Sequence, residues 1–154
     1  MLSKNIVNFI GCGGEYEESR IVIFGAPFDS TTSFRPGTRF GSQAIRNESY
    51  GLETYSPYQK KDLTDFKIFD SGDLELPIGD TARVLYQIED RAGEILRDGK
   101  LPFMIGGEHL VTLGVCGQQQ RSILTSVSCI LTLMRICGRI CLLYTSPSPR
   151  DTER

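Results

Sequence analysis

The sequence LPFMIGGEHLVTLG, residues 101–114, decides the fold and holds the only histidine of the chain, His109. Residues 101–105 form a short apolar run after a charged segment, which predicts a strand buried on both faces of a parallel sheet. Gly106 and Gly107 end this strand, because glycine permits a tight turn and a close approach of the backbone. Glu108 and His109 should therefore emerge at the carboxyl end of the strand, where open α/β sheets bind ligands.

Two more apolar runs predict further strands of the same sheet. RIVIFGA, residues 20–26, is rich in β-branched residues, and residues 66–69 form the second strand. A helix is predicted over residues 81–97, with Asp80 as N-cap, Gly99 as its stop and an apolar face that includes Val84, Ile88 and Ile95. The strand at 66–69, the helix at 81–97 and the strand at 101–105 are predicted to make a right-handed βαβ crossover. An irregular arm, residues 1–19, precedes them.

A long polar loop, PFDSTTSFRPGTRFG at residues 27–41, follows the first strand. Loops of this length often serve a function or contact a partner, and a solvated connection is the alternative. Ser42 is predicted to cap a helix over residues 43–52 whose apolar face consists of Ala44, Ile45 and Leu52. Residues 55–61 read as a surface turn around Pro57.

Two carboxylates, Asp70 and Asp73, follow the second predicted strand in the stretch DSGDLELP. They suggest a metal site or an acid/base pair. However, Asp, Ser and Gly are ordinary turn and cap residues, and the interpretation as a turn is favoured.

Composition narrows the class of protein. With 154 residues, 40% of them hydrophobic and 23% charged, the chain is long enough for one globular core. A net charge of -2 gives no case for nucleic acid or an anionic membrane as partner.

The odd number of cysteines and the absence of a signal-peptide pattern predict a cytoplasmic protein. A redox or metal-binding module at Cys116, Cys129, Cys137 and Cys141 is a further reading, although these cysteines lack the paired C-x₂-C spacing of zinc sites.

On spacing alone, His109 is more often a hydrogen-bonded structural residue than a metal ligand. The neighbouring motifs favour the role of His109 as a metal ligand. Gly-Gly-Glu-His at a strand end, Gly-Ala-Pro-Phe-Asp followed by Ser-Phe-Arg-Pro-Gly-Thr-Arg-Phe-Gly, and DSGDLELP together resemble the ureohydrolase family of arginases and agmatinases. The similarity covers residues 1–114 and is closest to bacterial agmatinases.

The resemblance implies an α/β, parallel-sheet, three-layer (arginase-like) fold and a manganese-dependent hydrolase. Enzymes of this family hold two Mn²⁺ ions with histidines and carboxylates, and a metal-bound hydroxide attacks the guanidinium carbon to release urea. His109 would be one metal ligand, whereas Asp70 and Asp73 would not be ligands. Asp29 and Arg35 would support the mouth of the active site and the contacts of a homo-oligomer. Agmatine, converted to putrescine and urea, is the expected substrate; guanidinobutyrate, arginine and formiminoglutamate stay open.

The sequence departs from the family after Gly114. The chain as written has no second histidine and no Asp-Ala-His-x-Asp motif, so the fold is expected to be incomplete, with its C-terminal part missing. In a shifted reading frame, however, CILTLMRICGR at residues 129–139 can spell a peptide that contains Asp-Ala-His-Ala-Asp. The hypothesis is a one-base insertion or deletion near Val115, followed after about residue 140 by foreign sequence.

This hypothesis divides the chain into residues 1–115, the N-terminal part of an arginase-like domain, and residues 116–154, a tail not expected to fold natively. The 154-residue polypeptide is then expected to be inactive. The alternative is a non-catalytic fragment that associates with full-length subunits through the loop at residues 27–41.

Overall fold

The computed structural model describes residues 5–115, and residues 1–4 and 116–154 lie outside this description. The described residues fall within the first of the two units into which the chain divides, Met1–Ser122. The helices and strands, in chain order, are β1 (Ile21–Ala26), α1 (Gly41–Ser49), β2 (Tyr55–Ser56), β3 (Lys61–Asp62), β4 (Ile68–Asp73), α2 (Thr81–Arg97) and β5 (Leu101–Gly106). The predicted boundary at residue 115 coincides with the limit of the described residues and stays a prediction.

The main sheet has three strands in the order β4-β1-β5, all parallel. Ile21 pairs with Ile68 on one side and with Leu101 on the other, and Ala26 pairs with Gly106. The three strands therefore end at the same edge, which we call the carboxyl edge. This arrangement confirms the predicted α/β class with a parallel sheet.

Both faces of β1 are covered, which explains its uninterrupted apolar sequence. The prediction that β5 is buried on both faces was wrong for the described residues, because β5 lies at the edge of the three-stranded sheet and leaves Leu101 57% and Phe103 46% exposed. Val22, Phe24 and Ala26 share one core cluster with α2. Ile23 belongs to a second cluster on the opposite face, with Cys12 from the N-terminal arm. On that face α1 also approaches β1, since a Cβ at Gly25 would lie 3.1 Å from the Cβ of Ser42. The described residues therefore form three layers: α2, the sheet, and α1 together with the N-terminal arm.

The predicted signals of α2 are all present in the structure. Val84, Ile88, Ala92 and Ile95 of its apolar face are buried, while Leu85 and Leu96 are partly buried. The Asp80 carboxylate accepts a hydrogen bond of 2.9 Å from the Arg83 N–H, as an N-cap should. Gly99 has a φ of +72°, the left-handed conformation that commonly ends a helix. No helix within residues 5–115 has the length and apolar character needed to cross a membrane.

The prediction for α1 was wrong in its face and its cap. The helix runs over Gly41–Ser49 and buries Ser42, Arg46 and Ser49, whereas Ile45 is 47% exposed and Leu52 61% exposed. The Ser42 hydroxyl does not cap the helix but donates to Asp73 Oδ2 at 2.7 Å. A polar face can be buried here because β4 supplies its hydrogen-bond partners.

The second strand, predicted over residues 66–69, begins two residues later and ends four residues later than predicted. β4 extends through Asp70 to Asp73, where a turn was expected, because these carboxylates face Arg46 of α1. A further difference lies before β4, where residues 55–62 form an antiparallel pair, β2 and β3, rather than a simple turn.

Candidate functional site at the carboxyl edge

The turn after β5 packs directly against the loop after β1. The Gly107 N–H donates to the Ala26 carbonyl at 2.9 Å. A Cβ at Gly107 would lie 2.1 Å from the Phe28 carbonyl oxygen, so only glycine permits this approach. The two segments thus form one structural unit at the carboxyl edge, as the Gly-Gly pair predicts.

Glu108 and His109 follow each other in this turn, but Glu108 is buried and His109 is exposed. Glu108 is 9% exposed, and its carboxylate accepts hydrogen bonds from the Thr31 N–H at 3.2 Å and the Thr31 hydroxyl at 2.5 Å. Its own N–H donates to the Phe28 carbonyl at 2.7 Å. His109 begins the short 3₁₀ helix His109–Val111 and is exposed to solvent. Among residues 5–115 its imidazole has no hydrogen-bond or ion-pair partner, so no structural role for it is visible there.

Asp29 organises the loop at residues 27–40 from within. Its buried carboxylate accepts hydrogen bonds from the N–H groups of Gly37, at 2.6 Å, and Arg39, at 3.2 Å. The Arg39 guanidinium lies 2.6 Å from Asp29 Oδ1. Burial raises the pKa of this carboxyl, but the hydrogen bonds from Arg39 and Gly37 and the charge of Arg39 outweigh burial, so its pKa lies below the usual 3.8.

Arg35, the other predicted support residue, is exposed in this loop and has a φ of +25°. Its guanidinium lies 5.4 Å from the centre of the Phe34 ring. This is a weak local contact, and it does not bring Arg35 to His109.

Asp70 and Asp73 are both committed to Arg46. The buried guanidinium donates from Nε and Nη2 to the two oxygens of Asp70, at 2.8 and 2.9 Å, and from Nη1 to Asp73 Oδ1. Asp70 also accepts the N–H groups of Phe9, at 3.0 Å, and Gly72, at 3.0 Å. Reading these aspartates as turn residues was wrong, since they form an ion-pair cluster that joins α1, β4 and the N-terminal arm.

The described residues do not by themselves fit a two-manganese centre. In residues 5–115, no three histidine, cysteine or carboxylate side chains converge to hold a metal ion. His109, the predicted ligand, lies exposed at the carboxyl edge. Beyond residue 115 the sequence contains no histidine and only two carboxylates, Asp151 and Glu153. The four downstream cysteines of the redox or metal-module reading lie outside the described residues.

Sequence reasoning missed the contact between Glu108 and Thr31 and the role of Arg46. The Glu-His dipeptide does not reveal a partner 77 residues away. Arg46 gives a clearer signal, because it lies between two serines, Ser42 and Ser49, at helical spacing. Such a stripe of polar residues is compatible with a buried polar face when a strand carries matching carboxylates.

Comparison with known proteins decides the family. The sequence model of the Arginase family matches residues 19–131 of this chain. The chain belongs to the arginase family. Among its relatives, agmatinase of Bacillus subtilis is 49% identical over 104 residues, which cover 68% of this chain and 36% of that protein. Agmatinase of Halalkalibacterium halodurans is 50% identical over the same coverage.

Solved structures of the arginase family agree with the fold. Agmatine ureohydrolase of Thermoplasma volcanium superimposes with a TM-score of 0.70 at 33% identity, covering 74% of this chain and 39% of that chain. A formiminoglutamase variant of Trypanosoma cruzi, solved with Mn²⁺, gives a TM-score of 0.62 at 25% identity, covering 70% and 37%. The predicted family and its arginase-like fold are confirmed. The chain spans little more than a third of the length of the curated relatives it matches, 36% for the agmatinases.

Proposed function

We propose that this chain contributes to an agmatinase-type amidinohydrolase, which converts agmatine and water to putrescine and urea. The observation that carries the proposal is the position of His109. The only histidine of the chain is exposed at the carboxyl edge of β5, directly after Gly-Gly-Glu, in a chain that is 49% identical to an agmatinase over 104 residues. In open α/β folds this edge is the usual ligand site.

Within this proposal, His109 supplies one imidazole nitrogen to a manganese centre. Imidazole together with carboxylates suits Mn²⁺, and a complete centre of this kind would activate water for hydrolysis at neutral pH. Asp29, Arg39 and Glu108 keep the neighbouring loop in place but are engaged with protein groups. The described residues therefore supply one ligand of such a centre, and the other ligands must come from outside residues 5–115.

Agmatine is favoured over other guanidino substrates by the degree of similarity. The agmatinase of Bacillus subtilis is 49% identical, whereas the N(1)-aminopropylagmatine ureohydrolase of Thermococcus kodakarensis is 34% identical over 65% of this chain. Proclavaminate amidino hydrolase of Streptomyces clavuligerus is 28% identical. Guanidinobutyrate, arginine and formiminoglutamate are the competing substrates to be tested. A homo-oligomer and a cytoplasmic location stay predictions.

A chimera tests this function. Residues 1–114 of this chain replace the matching segment of Bacillus subtilis agmatinase, and urea release is measured with agmatine, guanidinobutyrate, arginine and formiminoglutamate. We expect manganese-dependent urea release that is fastest with agmatine, and a loss of at least about a hundredfold in the His109→Ala chimera. Full activity of the His109→Ala chimera would overturn the assignment of His109.

The second candidate is a non-catalytic polypeptide, and the presence of a single histidine favours it for the 154 residues as written. Under this proposal the purified chain releases no more urea from agmatine, with Mn²⁺, than its His109→Ala variant. Urea release clearly above that control would contradict it. The frame-shift hypothesis for residues 116–154 is tested separately, by reading the nucleotide sequence for Asp-Ala-His in the shifted frame.

A further inference from the structure

Glu108 connects two segments that are far apart in the sequence. Both of its carboxylate oxygens are engaged by Thr31, one by the N–H at 3.2 Å and one by the hydroxyl at 2.5 Å, across 77 residues. Hydrogen bonds to an ionised carboxylate are among the stronger ones in proteins. The contact therefore fixes the loop at residues 27–40 against the turn that carries His109.

The backbone of the turn is held at the same place. The Glu108 N–H donates to the Phe28 carbonyl at 2.7 Å, and the Gly107 N–H donates to the Ala26 carbonyl at 2.9 Å. Val111, which is 2% exposed, anchors the other end of the 3₁₀ helix in the core. His109 has no such anchor in the described part of the chain, so its direction depends on its neighbours in the turn.

Within residues 5–115 the start of the loop is also held by the buried side chain of Phe28, which shares a core cluster with Val111. Further along, the loop is held by the internal cluster of Asp29 with Gly37 and Arg39. That cluster shapes the loop but does not connect it to β5. Thr31 is exposed, and beyond Phe28 its contact with Glu108 is a side-chain hydrogen-bond link between the loop and the His109 turn.

We propose that Glu108 is a positioning residue: by holding Thr31 it sets the direction of His109 and makes the loop at residues 27–40 one wall of the candidate site. The inference rests on the proposed function in taking His109 as a residue of that site. A guanidino substrate that approaches His109 would then meet a loop already held in place, rather than one that must be ordered on binding.

The test uses the full chain and needs no activity. Because His109 is the only histidine, the imidazole signal of protein labelled with ¹³C-histidine belongs to it alone. This signal and amide hydrogen exchange over residues 29–37 are measured in Glu108→Ala, Thr31→Val and Thr31→Ser. Thr64→Val is the matched control, because Thr64 also uses its N–H, at 2.9 Å, and its hydroxyl, at 2.7 Å, to bind one carboxylate, that of Asp62 two residues away.

We expect Glu108→Ala and Thr31→Val to shift or broaden the imidazole signal and to speed amide exchange over residues 29–37 about tenfold or more. Thr31→Ser, which keeps the hydroxyl, should restore both readouts, and Thr64→Val should change neither. If Glu108→Ala does not fold, Thr31→Val at the exposed position decides.

An imidazole signal and a loop exchange rate in Thr31→Val equal to those in Thr64→Val would overturn the inference. Failure of the proposed function looks different: the chimera would release no urea although the coupling between Thr31 and His109 is intact.

Discussion

Arg46 is the largest fully buried side chain among residues 5–115, and its charge is matched by two aspartates of β4. We expect Arg46→Ala to lower the free energy of unfolding by about 3–5 kcal/mol, because it leaves the Asp70 carboxylate buried without its cation. Urea denaturation followed by circular dichroism measures this. The matched control is Arg97→Ala, whose ion pair with Asp90 is 3.9 Å long and exposed, and which should cost less than about 1 kcal/mol. Equal costs for the two variants would contradict the account.

Asp29 makes stability depend on pH at the acidic end. Burial raises its pKa. The hydrogen bonds from Arg39 and Gly37 and the charge of Arg39 lower the pKa by more than burial raises it, so it lies below 3.8. The folded state therefore binds fewer protons than the unfolded state through this window. The stabilisation from Asp29 is fully present above pH 3.8 and is lost as the pH falls through the lowered folded-state value.

This gives a measurable consequence. Between neutral and strongly acidic pH, Asp29→Asn should lose less stability than the wild-type chain, and denaturant midpoints at a series of pH values report the difference. Glu75→Gln, which alters an exposed carboxyl, is the control variant measured in the same series. The same acid sensitivity in Asp29→Asn and wild type would show that Asp29 does not titrate as described.

At the scale of the elements, two glycines at the carboxyl edge differ in what they require. We expect Gly107→Ala to destabilise the chain by about 1–3 kcal/mol, because its Cβ would overlap the Phe28 carbonyl at 2.1 Å. Gly41→Ala is the control. Gly41 has helical φ and ψ of -62° and -43°, and a Cβ added there would lie 4.0 Å from the Gly106 carbonyl oxygen. Alanine at this position should therefore stabilise the folded chain by about 0.4–1 kcal/mol. Thermal denaturation compares the two, and a neutral Gly107→Ala would show that the turn has room to move.

The elements predicted from the sequence are those whose signals are local. β1 and β5 are continuous apolar runs, and α2 has a regular apolar face between an N-cap and a glycine stop. The buried face of α1 and the true end of β4 were missed because they depend on each other. Arg46 lies 24 residues from Asp70 and 27 from Asp73, so neither segment alone reveals the burial of the other.

The same reason limits prediction of the site. The exposure of His109 at the strand end follows from Gly106 and Gly107, and the structure places it there. The contact between Glu108 and Thr31 is not readable from either segment, since it joins parts of the chain 77 residues apart. Long-range pairs of this kind become visible only once the order of the strands is known.

At the scale of the whole molecule, the sheet order β4-β1-β5 gathers the functional features at one edge. β1 leads into the loop at residues 27–40, and β5 leads into His109. The arginase family membership of the chain explains why this edge is the one to test, and the chain spans 36% of the length of its agmatinase relatives. Within residues 5–115, His109, the proposed ligand, is exposed there, and no three potential ligands converge on a metal site.

The most direct test of the central claim, that His109 is a metal ligand, is the manganese content of the chimera described above. After incubation with Mn²⁺ and desalting, bound manganese per chain is measured by atomic emission. We expect the His109→Ala chimera to stay folded, because His109 is exposed, and to bind one manganese ion fewer per chain than the chimera with His109. The same manganese content in both, at full occupancy, would contradict it.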